Sequence, residues 1–110
     1  MKGGIIMKLW IDDVRHPPSD DWRWAKSVHE ARIIICQMTR PDKTHNISII
    51  DIDHDAGEYA WNGGDYIELL KWMEIKKIND IPIHIHSMNP VGIQNMRNII
   101  NYNGWREIYE

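Results

Sequence analysis

The stretch Ile47-Ser48-Ile49-Ile50-Asp51-Ile52-Asp53-His54-Asp55 decides how this chain reads. It begins as a short Ile-rich run, the pattern of a buried strand. It ends with Asp51, Asp53, His54 and Asp55 in five consecutive positions. Carboxylates at the end of a buried strand are costly unless a metal, a basic group or a phosphate-bearing ligand shares the site. The stretch therefore predicts the centre of an active or binding site.

Upstream, Met7-Lys8-Leu9-Trp10-Ile11 reads as a first strand running into Asp12-Asp13. The loop that follows, Val14 to Asp21, contains Pro17 and Pro18, which forbid a helix there. Trp22-Arg23-Trp24-Ala25-Lys26 alternates and predicts a short edge strand. Ser27 and Glu30 have capping-box spacing for a helix whose buried face is Val28, Ala31, Ile35 and Met38. Downstream, Asp65 is the expected cap of a helix with Ile67, Leu70 and Met73 as its stripe, widened by Leu69 and Trp72. Ile81 to Ser87 is the next strand. Asn89-Pro90 caps a helix that buries Ile93, Met96 and Ile100 and stops at Gly104. Trp105 to Glu110 reads equally as a last strand or a docked tail. Strands alternating with helices predict an α/β fold with a mostly parallel sheet covered on both faces.

The 110 residues suit one domain, expected over 7–110, with 1–6 as a disordered lead-in or Met7 as an alternative start. At 43% apolar and 26% charged, the composition is that of a globular chain. A net charge of −3 argues against strong general nucleic-acid binding. No run approaches the ~20 apolar residues of a membrane span. The single cysteine, Cys36, excludes an internal disulfide, suits a reducing cytoplasmic setting, and is expected buried. The six Trp and absence of Phe place Trp at the large core and groove positions.

Ligands of such sheets bind outside the carboxyl ends of the strands. Polar chemistry gathers there: Asp12-Asp13, Asp53-His54-Asp55 and His86-Ser87. Asp12, Asp13 and Asp53 form a hard oxygen set suited to Mg²⁺ or Mn²⁺, ahead of Zn²⁺. His54, His86 and Asp55 are candidates for proton transfer. His84 shares a strand face with His86 and is divided between core and pocket, whereas Asp51 reads as a structural hydrogen-bonding residue. Arg15, Ser87 and Asn89 are candidate phosphate contacts, helped by the free amides opening the last helix.

The acid pair after an apolar strand, Asp53 ending a later strand and Ser87 ending the next resemble a response-regulator receiver domain. The strings Asp12-Asp13-Val14-Arg15, Asp53-His54-Asp55 and Ile83-His84-Ile85-His86-Ser87-Met88-Asn89-Pro90-Val91-Gly92 narrow this. From about Met7 to Tyr102 the chain resembles the cyclic-phosphate-processing receiver-like domains. The resemblance implies a flavodoxin-like three-layer fold with the helix between strands one and two replaced by the Pro-rich loop. It implies metal binding by Asp12 and Asp13, the phosphoacceptor position for Asp53 and phosphate contact for Ser87. The lysine of ordinary receivers is absent from Trp105 to Glu110. The function expected is metal-dependent hydrolysis of a cyclic phosphate, either a 2′,3′-cyclic end or a cyclic nucleotide. The partner would then be a phosphate-bearing small molecule or an RNA end. A non-catalytic module binding a nucleotide signal or a protein is the alternative, and a phosphoacceptor receiver the third reading.

Overall fold

The computed structural model describes residues 6–109, so most of the expected lead-in lies outside the described residues. The elements run β1 (Met7–Ile11), β2 (Trp22–Ala25), α1 (Val28–Gln37), β3 (Ile47–Ile52), a 3-10 turn (Gly57–Tyr59), α2 (Ile67–Lys76), β4 (Ile83–Ile85), α3 (Pro90–Asn103) and β5 (Glu107–Ile108). The sheet order is β2-β1-β3-β4-β5, and every neighbouring pair is parallel. That is the flavodoxin-like order, as expected. The ambiguous chain end supplies a strand, and Arg97 of α3 holds it through Glu107 at 2.6–3.0 Å.

Strand alternation sorts the side chains into two unlike faces. Leu9, Ile11, Ala25, Ile50, Ile52 and Ile83 are fully buried on one face. They form a single core with Val28, Ala31, Ile34 and Ile35 of α1, Leu69, Leu70 and Met73 of α2, and Met96 and Ile100 of α3. All three helices therefore cover the same face. The cause is topological: β2 to β3, β3 to β4 and β4 to β5 all step the same way across the sheet. Right-handed crossovers then place each helix on the same side. Only β1 to β2 steps the other way, and residues 12–21 between them contain no helix. The second helical layer of the three-layer expectation is thus missing. The opposite face, bearing Lys8, Trp10, Trp22, Trp24, Asp51 and His84, has no helix upon it among the described residues.

Local signals are mostly obeyed. Ser27 Oγ accepts from the Glu30 amide at 3.0 Å, and the Glu30 carboxylate reaches back to the Lys26 amide, one residue earlier than a regular capping box. Asn89 caps α3 by accepting from the Gly92 amide, with Pro90 in the first turn, and Gly104 ends it at φ 68°. Two expectations are corrected. Asp65 does not cap α2; its carboxylate accepts from the Ala56 amide at 3.0 Å and closes the loop after β3. Cys36 is exposed, because it lies one residue beyond the buried Ile34–Ile35 stripe and turns toward solvent.

Candidate active site at the carboxyl edge of the sheet

The parallel ladder continues one residue past the strands. The Asp12 amide donates to the Ala25 carbonyl, the Asp53 amide to Ile11, and the His86 amide to Ile52. Asp12, Asp53 and His86 are thereby set side by side on the edge. Asp13 joins them: Asp12, Asp13 and Asp53 each offer an oxygen, all within 4.8 Å of one another. The Asp13 carboxyl is pushed above its usual range by burial and by the charges of Asp12 and Asp53. Gly57 makes room for it. Its φ is +56°, and a Cβ there would lie 2.3 Å from Asp13 Oδ2.

Asp12, 1% exposed, is gripped at both oxygens. Oδ1 accepts from the Val14 and Arg15 amides at 3.0 and 2.8 Å, and Oδ2 accepts from His86 Nε2 at 2.8 Å. Burial alone would raise its pKa. The Arg15 amide, the His86 ring and the Val14 amide outweigh that and hold it below the usual carboxylate range.

His86 sits between two carboxylates, with Nε2 on Asp12 and Nδ1 on Asp51 Oδ1 at 2.6 Å. Carboxylates only accept, so the ring donates from both nitrogens and is an imidazolium. Its plane lies on Trp10 at 3.9 Å and 4°. Burial pushes its pKa down, but Asp51 and Asp12 outweigh this and raise it above the ordinary histidine value. His84 Nδ1 donates to the same Asp51 oxygen at 2.9 Å. Asp51 therefore joins the two histidines, and His84 faces this network rather than the apolar core.

These shifts set a pH dependence. A raised His86 stabilises the fold fully below about pH 6.5, and that contribution is lost as pH rises through its raised value. A lowered Asp12 contributes fully above its ordinary 3.8 and loses this as pH falls through its lowered value. The pair is expected to contribute most between roughly pH 4 and 6.5. Urea unfolding of metal-free protein from pH 4 to 9 should show stability falling on the alkaline side. His86→Gln should flatten that limb.

His54 is placed differently. Its amide donates to Asp53 Oδ1, and its ring Nδ1 bonds Asp55 Oδ1 at 2.8 Å. The ring packs on α3 where Gly92 has no side chain; a Cβ there would lie 2.4 Å from His54 Cγ. Gly92→Ala is expected to displace this ring and to cost about 1–3 kcal/mol by overpacking. Denaturant unfolding and the imidazole resonances of His54 check both.

Ser87 Oγ accepts from the Asn89 amide at 3.1 Å. Arg15 is exposed on the loop, with its backbone carbonyl taken by Trp10 Nε1 at 2.7 Å. Tyr66, which the residue pattern did not single out, is fully buried near the cluster. Its hydroxyl donates to the Lys26 carbonyl, and its pKa is raised by burial and by Asp13, Asp12 and Asp53. Only its aromatic character and its place after Asp65 could have flagged it.

A five-stranded parallel sheet in this order, with acids gathered after β1 and β3, defines a receiver-like α/β domain. The family model of the cyclic-phosphate processing receiver domain matches residues 7–102, and the chain belongs to that family. No curated protein and no solved structure matches the chain. Among the described residues no helix is long and apolar enough to cross a membrane.

Proposed function

We propose that this domain is a metal-dependent phosphoesterase acting on a cyclic phosphate, a 2′,3′-cyclic end or a cyclic nucleotide. The observation that carries this is the convergence of Asp12, Asp13 and Asp53 next to the hydrogen-bonded pair His54–Asp55. The donor set fits a divalent cation: three oxygen ligands, one with its pKa raised by burial and by its like-charged neighbours. Each nearby histidine already has a carboxylate partner, which favours Mg²⁺ or Mn²⁺ over Zn²⁺. Bound there, the cation would polarise a phosphoryl oxygen and lower the pKa of a water.

The chain's own residues divide the remaining work. Asp55 orients His54 through Nδ1, leaving Nε2 to move a proton to or from the ribose oxygen. His86, occupied at both nitrogens, supplies fixed positive charge rather than a mobile proton. The Ser87 hydroxyl, whose oxygen is already an acceptor, donates to a phosphate oxygen. The Asn89 side-chain amide and the Arg15 guanidinium add donors from either side.

The test is incubation with Mg²⁺ or Mn²⁺ and a panel of 2′,3′-cyclic nucleotides, 3′,5′-cyclic nucleotides and oligonucleotides with a cyclic phosphate end. The expected product is a phosphomonoester, and no turnover of any of them sinks the proposal. One observation favours a second reading, a binding module without catalysis: both oxygens of Asp12 are already occupied, one by His86. Calorimetric binding of a panel member that is recovered intact would support that reading instead.

A further inference from the structure

We infer that Asp51 is a positioning residue for the acid cluster, acting through His86 on Asp12, with His84 as its outer support. The inference rests on the reading of Asp12, Asp13 and Asp53 as the reactive centre, and goes beyond it by giving work to the helix-free face.

Asp51 is the last residue but one of β3, level with Trp10 and His84, and is only 7% exposed. A carboxylate there carries a desolvation cost that an apolar residue of similar size would avoid. What Asp51 does with its place is specific. One oxygen, Oδ1, receives Nδ1 of both His84 and His86. This sets the rotation of the His86 ring, so that the opposite nitrogen, Nε2, meets Asp12 Oδ2.

The rest of the arrangement holds Asp12 and the plane of the His86 ring. Trp10 stacks on the ring and fixes its plane. The Trp10 indole N–H bonds the Arg15 carbonyl, and the amides of Val14 and Arg15 grip Asp12 Oδ1. Trp10, His86, Asp12 and Arg15 thus form a closed circuit. The stack fixes the plane but accepts the ring in either of two orientations related by a half-turn about Cβ–Cγ. The bond from Nδ1 to Asp51, together with that from Nε2 to Asp12, selects one of them. His84, whose side chain at 20% is more exposed than those of Asp51, His86 and Asp12, braces the Asp51 carboxylate from the solvent side.

Because both rings use the same oxygen, positioning and charge can be separated. Asp51→Asn keeps an acceptor oxygen and removes the charge. Asp51→Ala removes both, and Asp51→Leu removes both while filling the volume, so one of the two should remain folded by circular dichroism. Mn²⁺ affinity is measured by calorimetry on the full chain. Asp51→Ala or Asp51→Leu is expected to bind about 10-fold or more weakly, the usual cost of losing an outer support. Asp51→Asn is expected to stay within about threefold of wild type, well short of that loss. Wild-type affinity in the alanine or leucine variant would overturn the inference. So would an asparagine variant as weak as alanine, which would assign the effect to charge. A metal-free readout keeps this separate from the phosphoesterase reading. At about pH 5, below the ordinary histidine pKa so that the ring stays protonated, the Asp12 carboxyl carbon and His86 Nε2 resonances should move further in Asp51→Ala or Asp51→Leu than in Asp51→Asn. If they do not move in the former, the positioning role is wrong whether or not any substrate is turned over.

Discussion

Asp12→Ala is expected to destabilise the metal-free protein by about 3–5 kcal/mol and to abolish divalent-cation binding. The size follows from what the carboxylate leaves behind. His86 would remain a buried imidazolium with one of its two partners gone. The amides of Val14 and Arg15 would lose their acceptor, and the loop they belong to is what covers Trp10. Removing one member of a buried pair costs more than the pair contributes, because the survivor is left without compensation. The neighbouring carboxylate should behave in the opposite way. Asp13 has its pKa raised by burial and by the nearby charges of Asp12 and Asp53, so its ionisation is already opposed. Asp13→Ala is expected to leave metal-free stability unchanged or higher while weakening cation binding. Urea unfolding without divalent ions, paired with Mn²⁺ calorimetry, separates the two variants. Equal destabilisation by both would contradict this account of Asp12.

His54→Gln is expected to lower turnover of a cyclic phosphate by about 10²–10⁴-fold in kcat, with KM nearly unchanged, the usual size for loss of a positioned proton-transfer group. Glutamine can still bond Asp55 but cannot carry a proton between two atoms. Stability should change little, since glutamine is of similar size and keeps the bond to the exposed Asp55, the one side-chain hydrogen bond of the ring among the described residues. His86→Gln should show a different profile. It removes the cation between Asp12 and Asp51, so unfolding free energy falls together with activity. Kinetics and unfolding measured on the same two proteins decide the assignment. A stable His54→Gln protein with full turnover would remove His54 from the chemistry.

Much of this arrangement can be read before any coordinates, and the exceptions have physical causes. The Ile-rich run and its charged end mark β3 because burial and ionisation conflict there, and the other strand ends line up with it. Asp12, Asp13 and Asp53 come together because parallel strands in register must place equivalent positions on one edge. Asp51 is harder. Alternation shows that it shares a face with Asp53, but not that this face lacks helices. That depends on strand order, since the direction of each crossover selects the side its helix occupies. The same gap hides His84, which would face a helix in a three-layer sheet and here meets a carboxylate instead. His86 is legible as a site residue but not as a doubly bonded cation, because that requires knowing both of its neighbours. Cys36 and Asp65 fail for a local reason: a single residue of helical phase, or one turn of loop closure, is finer than hydrophobic patterning resolves.

The one-directional order of the crossovers also governs when the site can exist during synthesis. From β3 onward each strand is added at the same edge, β3 beside β1, β4 beside β3 and β5 beside β4, so the sheet grows in one direction as the chain emerges. His86 reaches Asp12 across 74 positions of sequence. Until β4 has left the ribosome, Asp12 and Asp51 therefore lie on an unfinished sheet without the imidazole that neutralises them. Contacts of such long range form late because loop closure must come first. Nascent chains stopped before His84 should accordingly keep β3 as an open, charged edge and be sensitive to protease, whereas release of the next few residues completes the site and leaves β4 as the edge until β5 arrives.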